Sequence, residues 1–157
     1  MSVFGQLLDA CEDGDLRLVK KLLRRDPSLL NKQDKDGWTP LITACGVPGG
    51  EALVQFLLEK GAAVDLATMD GVTALCLASQ EGYEGTVKLL LEKGAAIDLA
   101  NNKGTTALIL ASQYGHEGTV RLLLEKGAAI GHTKSDGATA LVMACQNGHE
   151  GTVRLLL

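Results

Sequence analysis

Apolar side chains recur at helical spacing, in short runs that end at glycine or at polar residues. Val87, Leu90 and Leu91 lie at positions i, i+3 and i+4, which puts them on one side of a helix. Gly94 follows this run and predicts the end of the helix, because glycine tolerates the backbone conformation that closes one. The next segment, 95–103, has no helical pattern, contains Asp98, Asn101 and Asn102, and lies between two glycines, Gly94 and Gly104. It predicts an extended turn or a β-hairpin.

The same pattern returns along the chain with a nearly fixed period. Its start, a glycine followed two residues later by threonine, occurs at Gly37, Gly71, Gly104 and Gly137. The last two intervals are 33 residues, and 22 of the 30 positions of segment 71–100 are identical in segment 104–133. The first interval is 34 residues, with the extra residue in the turn at 48–50. These intervals identify an array of structural repeats.

Each repeat also predicts a first helix ahead of the leucine-rich one. The threonines expected to cap the first helices, by accepting from helical N–H groups, are Thr39, Thr73, Thr106 and Thr139. Pro40 occupies a first helical position, where its missing donor costs nothing. The glycines predicted to end first helices are Gly82, Gly115 and Gly148. Because only neighbouring units can cover the apolar faces of two such helices, the sequence predicts an all-α repeat solenoid.

Three segments of the repeat resemble the ankyrin repeat. They are Asp-Gly-x-Thr-(Pro/Ala)-Leu, Gly-(His/Tyr)-Glu and Val-x-Leu-Leu-Leu-Glu-Lys-Gly-Ala, as at 70–75, 115–117 and 120–128. The resemblance covers the whole chain and implies stacked helix-turn-helix units joined by β-hairpin-like loops. It implies one domain over residues 1–157, divided into an N-terminal capping repeat at 1–33, full repeats at 34–67, 68–100 and 101–133, and a truncated repeat at 134–157.

The composition narrows the classes of partner. Apolar residues make up 46% of the chain and aromatic residues only 3%, so the core must consist of small aliphatic side chains. A net charge of -4 disfavours a protein that binds the phosphates of nucleic acids. We find no run of 18 apolar residues and no signal-peptide pattern, so we expect neither a membrane span nor a secretory signal.

The cysteines occur at positions that favour packing over chemistry. Cysteine alternates with serine at one repeat position, which is occupied by Cys11, Cys45, Ser79, Ser112 and Cys145. Small side chains at one position are typical of a contact between packed helices. Cys76 stands alone at its position, where packing is favoured over a reactive thiol. The lack of closely spaced cysteines favours a reducing compartment, the cytoplasm, with the nucleus as the alternative.

Two motifs begin like functional sites but are incomplete. His116-Glu117 starts like a zinc-protease motif, yet Val120 stands where the second histidine should be, and the copy at 149–153 has the same defect. These histidines instead open second helices, where the ring can bond a carbonyl of a neighbouring unit. The glycine-rich loop 46–50 lacks the Gly-Lys-(Ser/Thr) ending of a phosphate-binding loop. We therefore expect no metal, no cofactor and no catalytic residue, and a protein that is not an enzyme.

Without a catalytic constellation, the array is best interpreted as a recognition surface. The resemblance implies that the hairpin tips and the exposed side of the first helix form a concave surface for another protein. Residues that flank the repeat glycine, or that precede the first-helix glycine, vary between copies, whereas the Leu and Ala framework does not. The predicted partner-binding residues are Lys35, Asp36, Trp38, Met69, Asp70, Val72, Gln80, Glu81, Asn102, Lys103, Thr105, Gln113, Tyr114, Ser135, Asp136, Ala138, Gln146 and Asn147. Neutral variation of a solvated face is the alternative.

Two aromatic residues among these positions, Trp38 and Tyr114, are expected to anchor the partner, because large amphipathic side chains dominate interface energies. The predicted surface carries four acids and two bases, which are Asp36, Asp70, Glu81, Asp136, Lys35 and Lys103. This balance favours a neutral or mildly basic protein as the partner, and disfavours nucleic acid.

Two other functions stay open at this point. The chain could be the targeting arm of a larger enzyme whose catalytic domain lies beyond residue 157, or a designed or consensus scaffold without a natural partner. The final leucines, 155–157, also lack the Glu-Lys-Gly ending of the other repeats. They predict a weak end-to-end self-association through an uncapped C-terminus.

Overall fold

The computed structural model describes residues 2–157 of the chain. Their α-helices, in chain order, are α1 (Val3–Glu12), α2 (Leu16–Arg25), α3 (Pro40–Cys45), α4 (Glu51–Glu59), α5 (Ala74–Glu81), α6 (Glu84–Glu92), α7 (Ala107–Tyr114), α8 (Glu117–Glu125), α9 (Ala140–Gln146) and α10 (Glu150–Leu156). A short 3-10 helix, Pro27–Asn31, follows α2. The elements pair as antiparallel helices, one pair in each repeat.

The helices form two layers. The first helices pack against one another in the order α1, α3, α5, α7 and α9, and α4, α6, α8 and α10 form a second layer beside them. Each pair also packs within its own unit. The predicted all-α repeat solenoid is therefore confirmed.

Threonine caps begin the first helices as predicted. The side-chain oxygen of Thr39 accepts from the backbone N–H of Ile42, and Thr73, Thr106 and Thr139 cap the later copies in the same way. Gly82 and Gly115 end α5 and α7 in the left-handed conformation, both with φ of 72°. In the last repeat the helix ends earlier: Asn147 caps α9, and Gly148 follows it with φ of 73°.

The core consists of aliphatic side chains that repeat from unit to unit. Leu57, Leu90 and Leu123 hold the same position in successive second helices and have no exposed surface. Alanine recurs where the first helices meet one another, at Ala44, Ala78, Ala111 and Ala144, each also fully buried. Small residues at this contact allow the first helices to pack closely, which is why the chain needs few aromatic residues.

Loops between units are linked by hydrogen bonds rather than by a continuous sheet. The backbone N–H groups of Met69, Asn102 and Ser135 each donate to a carbonyl oxygen one repeat earlier, at 2.9–3.0 Å. Side-chain oxygens of Asn31, Asp65 and Asp98 accept from backbone N–H groups one repeat later. Among residues 2–157, β-pairing is limited to isolated bridges, Ala67 with Thr73 and Thr133 with Thr139. These bonds fix the loops of adjacent repeats relative to one another.

Candidate functional site

Most of the predicted partner-binding residues have accessible side chains. The exposed ones are Lys35, Asp36, Met69, Asp70, Glu81, Asn102, Lys103, Tyr114, Ser135, Asp136, Gln146 and Asn147. The half-buried ones are Trp38, Val72, Gln80, Gln113 and Ala138. Thr105 is different, because only 5% of its surface is exposed, and it offers almost nothing to a partner.

The hairpin that carries Trp38 is held by side chains on both sides. The Oδ1 atom of Asp34 accepts from the backbone N–H groups of Asp36 and Trp38, at 2.9 and 2.8 Å. The Nε2 group of Gln33 donates to the carbonyl oxygens of Gly37 and Ala67, at 2.9 and 2.8 Å. Because Ala67 belongs to the next hairpin, where it forms a bridge with Thr73, this second bond joins the two hairpins and orders the one that carries Trp38.

A groove of about 560 Å³ opens beside this hairpin, and we call it the first-helix groove. Its lining comes from α1, α3 and α5 together with the Trp38 hairpin and the 46–48 turn. The lining residues are Leu8, Asp9, Glu12, Asp34, Trp38, Thr43, Gly46, Val47, Pro48, Leu77 and Glu81. Of the residues predicted from the sequence, Trp38 and Glu81 lie here, whereas Tyr114 does not.

The charge of the first-helix groove has one sign. Its ionisable residues are Asp9, Glu12, Asp34 and Glu81, and no Lys, Arg or His lines it. Within residues 2–157, the ion pairs are Lys134 with Asp136 and Arg154 with Glu150, so none of these four carboxylates has a cationic partner. Leu8, Trp38 and Leu77 add apolar surface to the same lining. The groove therefore combines apolar and acidic surface.

Most residues that line the groove are not among those predicted from the sequence. Thr43 and Leu77 occupy the same position of successive first helices, four residues after the capping threonine, and Leu110 and Met143 occupy it in later copies. All four are half-buried. Their variation between copies is the same signal that identified the other positions, and it could have found them.

Tyr114 lies at the end of α7, and 49% of its surface is exposed. Its ring stacks against that of His116, with the centroids 6.3 Å apart. The Nε2 atom of His116 is in turn 2.8 Å from the carbonyl oxygen of Gln80 in the preceding unit, and His149 makes the same contact with Gln113. The predicted bonding of these histidines across units is confirmed.

All four thiols are free. Burial raises the pKa of Cys11 to about 12 and also raises the pKa values of Cys45 and Cys76, which leaves these thiols protonated and unreactive near neutral pH. Cys145 shares the repeat position of Cys11 and Cys45, but it is exposed, because α9 packs against a first helix on one side only among residues 2–157.

Metal-ligand clusters and membrane-spanning helices are absent from the part of the chain that the structure describes. No group of three His, Cys, Asp or Glu side chains between residues 2 and 157 could hold a metal ion. Over the same range, every helix is too short or too polar to cross a bilayer.

Comparison with known proteins agrees with this architecture. A family profile described as ankyrin repeats in three copies matches residues 7–101 and 93–157. The chain is similar to the putative ankyrin repeat protein YahD of Escherichia coli, with 41% identity over 81 residues, which are 49% of this chain and 40% of that protein. It is also similar to two human proteins, the DNA-binding protein RFXANK and the NAD-capped RNA hydrolase NUDT12.

Identity to RFXANK is 42% over 69 residues, covering 44% of this chain and 26% of that protein. Identity to NUDT12 is 39% over 71 residues, covering 45% of this chain and 15% of that protein. The matched segment is thus less than half the length of each of these relatives. The family profile, by contrast, matches nearly all of the chain, and the chain belongs to the ankyrin repeat family.

Proposed function

We propose that this chain is a non-catalytic scaffold that binds a partner protein in the first-helix groove, through a segment that is basic and carries an apolar side chain. Ankyrin repeats generally mediate protein–protein interactions, and the first-helix side is the side that the family resemblance assigns to the concave surface. The observation that carries the proposal is the groove lining: four carboxylates, no cation, and a half-buried tryptophan on a braced hairpin.

Each part of the groove has a separate role in this proposal. Trp38 supplies a large, rigid contact surface whose burial can contribute about 2 kcal/mol or more to binding. Asp9, Glu12 and Glu81 attract a positively charged segment and disfavour an acidic one, which raises the association rate and the specificity more than the affinity. Because the hairpin is already ordered by Gln33 and Asp34, binding costs little conformational entropy.

The relatives support a second possibility for the biological setting. One of them is named as a hydrolase, and the matched segment is only 15% of its length, so a segment similar to this chain can occur in a larger protein. In that setting the same groove would recruit a partner or substrate for a separate catalytic domain. The binding chemistry that we propose for the groove is the same in both cases.

Trp38 also allows a direct test, because it is the chain's one tryptophan and lies in the groove. The probes are synthetic peptides in which Lys or Arg flanks Leu or Phe, with charge-reversed peptides as controls. We expect saturable changes of tryptophan fluorescence with the basic set alone. Glu12→Gln combined with Glu81→Gln should weaken binding about tenfold.

The matched control is Glu92→Gln combined with Glu125→Gln, which changes the net charge equally at exposed sites outside the groove. It should bind as the original chain does. Trp38→Ala, measured by calorimetry, should lose about 2 kcal/mol of binding free energy, roughly 30-fold in Kd. Preference for the acidic peptides, or equal losses in both double variants, would refute the proposal.

A further inference from the structure

The opposite side of the N-terminal repeats carries a second cleft with the reverse charge. A depression of about 540 Å³ lies between α2, the 3-10 helix and α4, and we call it the outer cleft. Lys20, Arg24 and Lys60 are its cationic residues, and Glu59 is its one acidic residue. The Oε1 atom of Glu59 accepts a hydrogen bond from Gln55 at 2.9 Å, and none of the three cations has an ion-pair partner among residues 2–157.

Helix α2 departs from the pattern of the other second helices. Its cationic residues are Arg17, Lys20, Lys21, Arg24 and Arg25, and it contains no acidic residue. This one helix therefore holds a third of the 15 Lys and Arg residues of a chain whose net charge is -4. By contrast, α4, α6, α8 and α10 each begin with glutamate and contain at most one Lys or Arg. Stacking does not require a basic second helix.

The floor of the outer cleft is also specific to this end of the molecule. Phe56 stands where the later repeats have Leu89, Leu122 and Leu155. Its half-buried ring holds two ammonium groups near it, with Lys20 Nζ 5.2 Å and Lys60 Nζ 5.7 Å from the ring centroid. Cation–π contacts of this kind restrain both lysines at the cleft without neutralising them. Leu23 and Leu30 complete an apolar surface beside them.

We infer that the outer cleft binds an acidic peptide segment of a partner protein, with carboxylates contacting Lys20, Arg24 and Lys60 and an apolar side chain on the floor formed by Leu23, Leu30 and Phe56. Charge complementarity sets the class of ligand, because the three cations line one cleft and are unpaired, and the Phe56 ring restrains two of them, Lys20 and Lys60. The apolar floor requires a side chain that a phosphate backbone cannot supply. Two interactions typical of nucleic-acid binding are also weak here. Lysine ammonium groups already lie over the Phe56 ring, which disfavours base stacking, and the net negative charge of the chain disfavours phosphate binding.

This inference does not depend on the first-helix groove, which shares no lining residue with the outer cleft. The probe is a pool of fluorescein-labelled peptides that alternate Asp or Glu with Leu or Phe, measured by anisotropy with the full chain. Lys20→Ala combined with Arg24→Ala should weaken binding about tenfold or more, and the affinity of the original chain should fall as salt is added. Alanine favours helix, so α2 should stay folded.

The matched control is Arg17→Ala combined with Arg25→Ala, which removes the same charge from the same helix at exposed sites outside the cleft. It should weaken binding by less than about threefold. Phe56→Leu restores the residue of the other repeats and should also weaken binding, with an unchanged melting temperature. The Glu12→Gln and Glu81→Gln variant should bind these peptides normally.

Three results would overturn the inference. The first is an absence of binding to the acidic peptides, and the second is an equal loss in the two double variants of α2. The third is tighter binding of a single-stranded RNA homopolymer or of anionic vesicles, with displacement of the peptide. Each outcome can be read independently of the groove, because the groove variants retain all the cationic residues of α2.

Discussion

Segments 117–124 and 150–157, which begin with α8 and α10, have the same eight residues, Glu-Gly-Thr-Val-Arg-Leu-Leu-Leu, yet the two segments are buried differently. Val120 has no exposed surface, whereas Val153 is half-buried. Leu124 is half-buried, whereas 89% of Leu157 is exposed. Since the local sequence is identical, the difference comes from the neighbouring units: among residues 2–157, α8 packs against a second helix on each side, and α10 on one side only.

The glutamate that begins each segment shows what the neighbour contributes. The carboxylate of Glu117 lies against Gly151 at the start of α10, and the same contact joins Glu84 to Gly118. Glu150 has only Arg154 of its own helix, at 3.6 Å, with both side chains largely exposed. Contacts between adjacent units therefore recur as a ladder, and the stability of the solenoid is expected to be a sum of such nearest-neighbour terms.

The largest difference between the two segments is expected for their central leucine. Leu123→Ala removes a fully buried side chain enclosed by units on both sides and should lower the free energy of unfolding by about 2–5 kcal/mol. In the 157-residue chain, Leu156→Ala removes the equivalent side chain from α10, where the surroundings can relax and the helix can fray. Its expected cost is about 1–2 kcal/mol. Urea unfolding followed by circular dichroism measures both, and equal losses would mean that α10 is as well packed as α8.

The fold could be predicted well because the same sequence pattern occurs in several repeats, so each structural prediction is made more than once. Thr73, Thr106 and Thr139 each cap a first helix as the sequence indicated, and an error at one copy would have been visible against the others. The end of α9 was less predictable. Asn147 caps this helix, and its Nδ2 group donates to the carbonyl oxygen of Met143 at 2.8 Å, which the sequence pattern of the other repeats did not indicate.

The candidate site could be predicted only in part, for a physical reason. Variation between copies pointed to Trp38 and Glu81, but the groove also needs Leu8, Asp9 and Glu12 of α1. The alignment of Cys11 with Cys45 places Leu8 and Glu12 at the positions of the buried Ile42 and of Gly46, so it does not mark either side chain as part of a groove. The same limit applies to the outer cleft, since its lining depends on which side of α2 faces α4.

A second pair of substitutions tests the contact between units at the end of the first helix. Gly115 and Gly148 hold equivalent positions with φ of 72° and 73°, so alanine is strained equally at both. A Cβ atom at Gly115 would lie 2.5 Å from the His149 ring, whereas one at Gly148 would have no atom within 4 Å. Gly148→Ala should cost about 1 kcal/mol from backbone strain, and Gly115→Ala about 2–3 kcal/mol, because the ring must also move. Thermal and urea unfolding of both variants give this difference, and an equal cost would show that the histidine contributes no packing.

The smallest expected difference concerns the glutamate that begins each identical segment. Glu117→Gln removes a negative charge from the positive end of its own helix α8 and, through Gly151, from that of α10. Glu150→Gln removes the charge from one helix end and from an exposed ion pair of little value. At low ionic strength, we expect Glu117→Gln to lower the free energy of unfolding by about 1 kcal/mol, and Glu150→Gln to lower it by about 0.5 kcal/mol or less. Adding salt should narrow the gap, because the interaction with the helix ends is screened. Two results would contradict this prediction: equal losses of unfolding free energy at low salt, or a difference between the losses that salt does not change. Either result would mean that the contact between Glu117 and the next unit stabilises the solenoid by packing and not by charge.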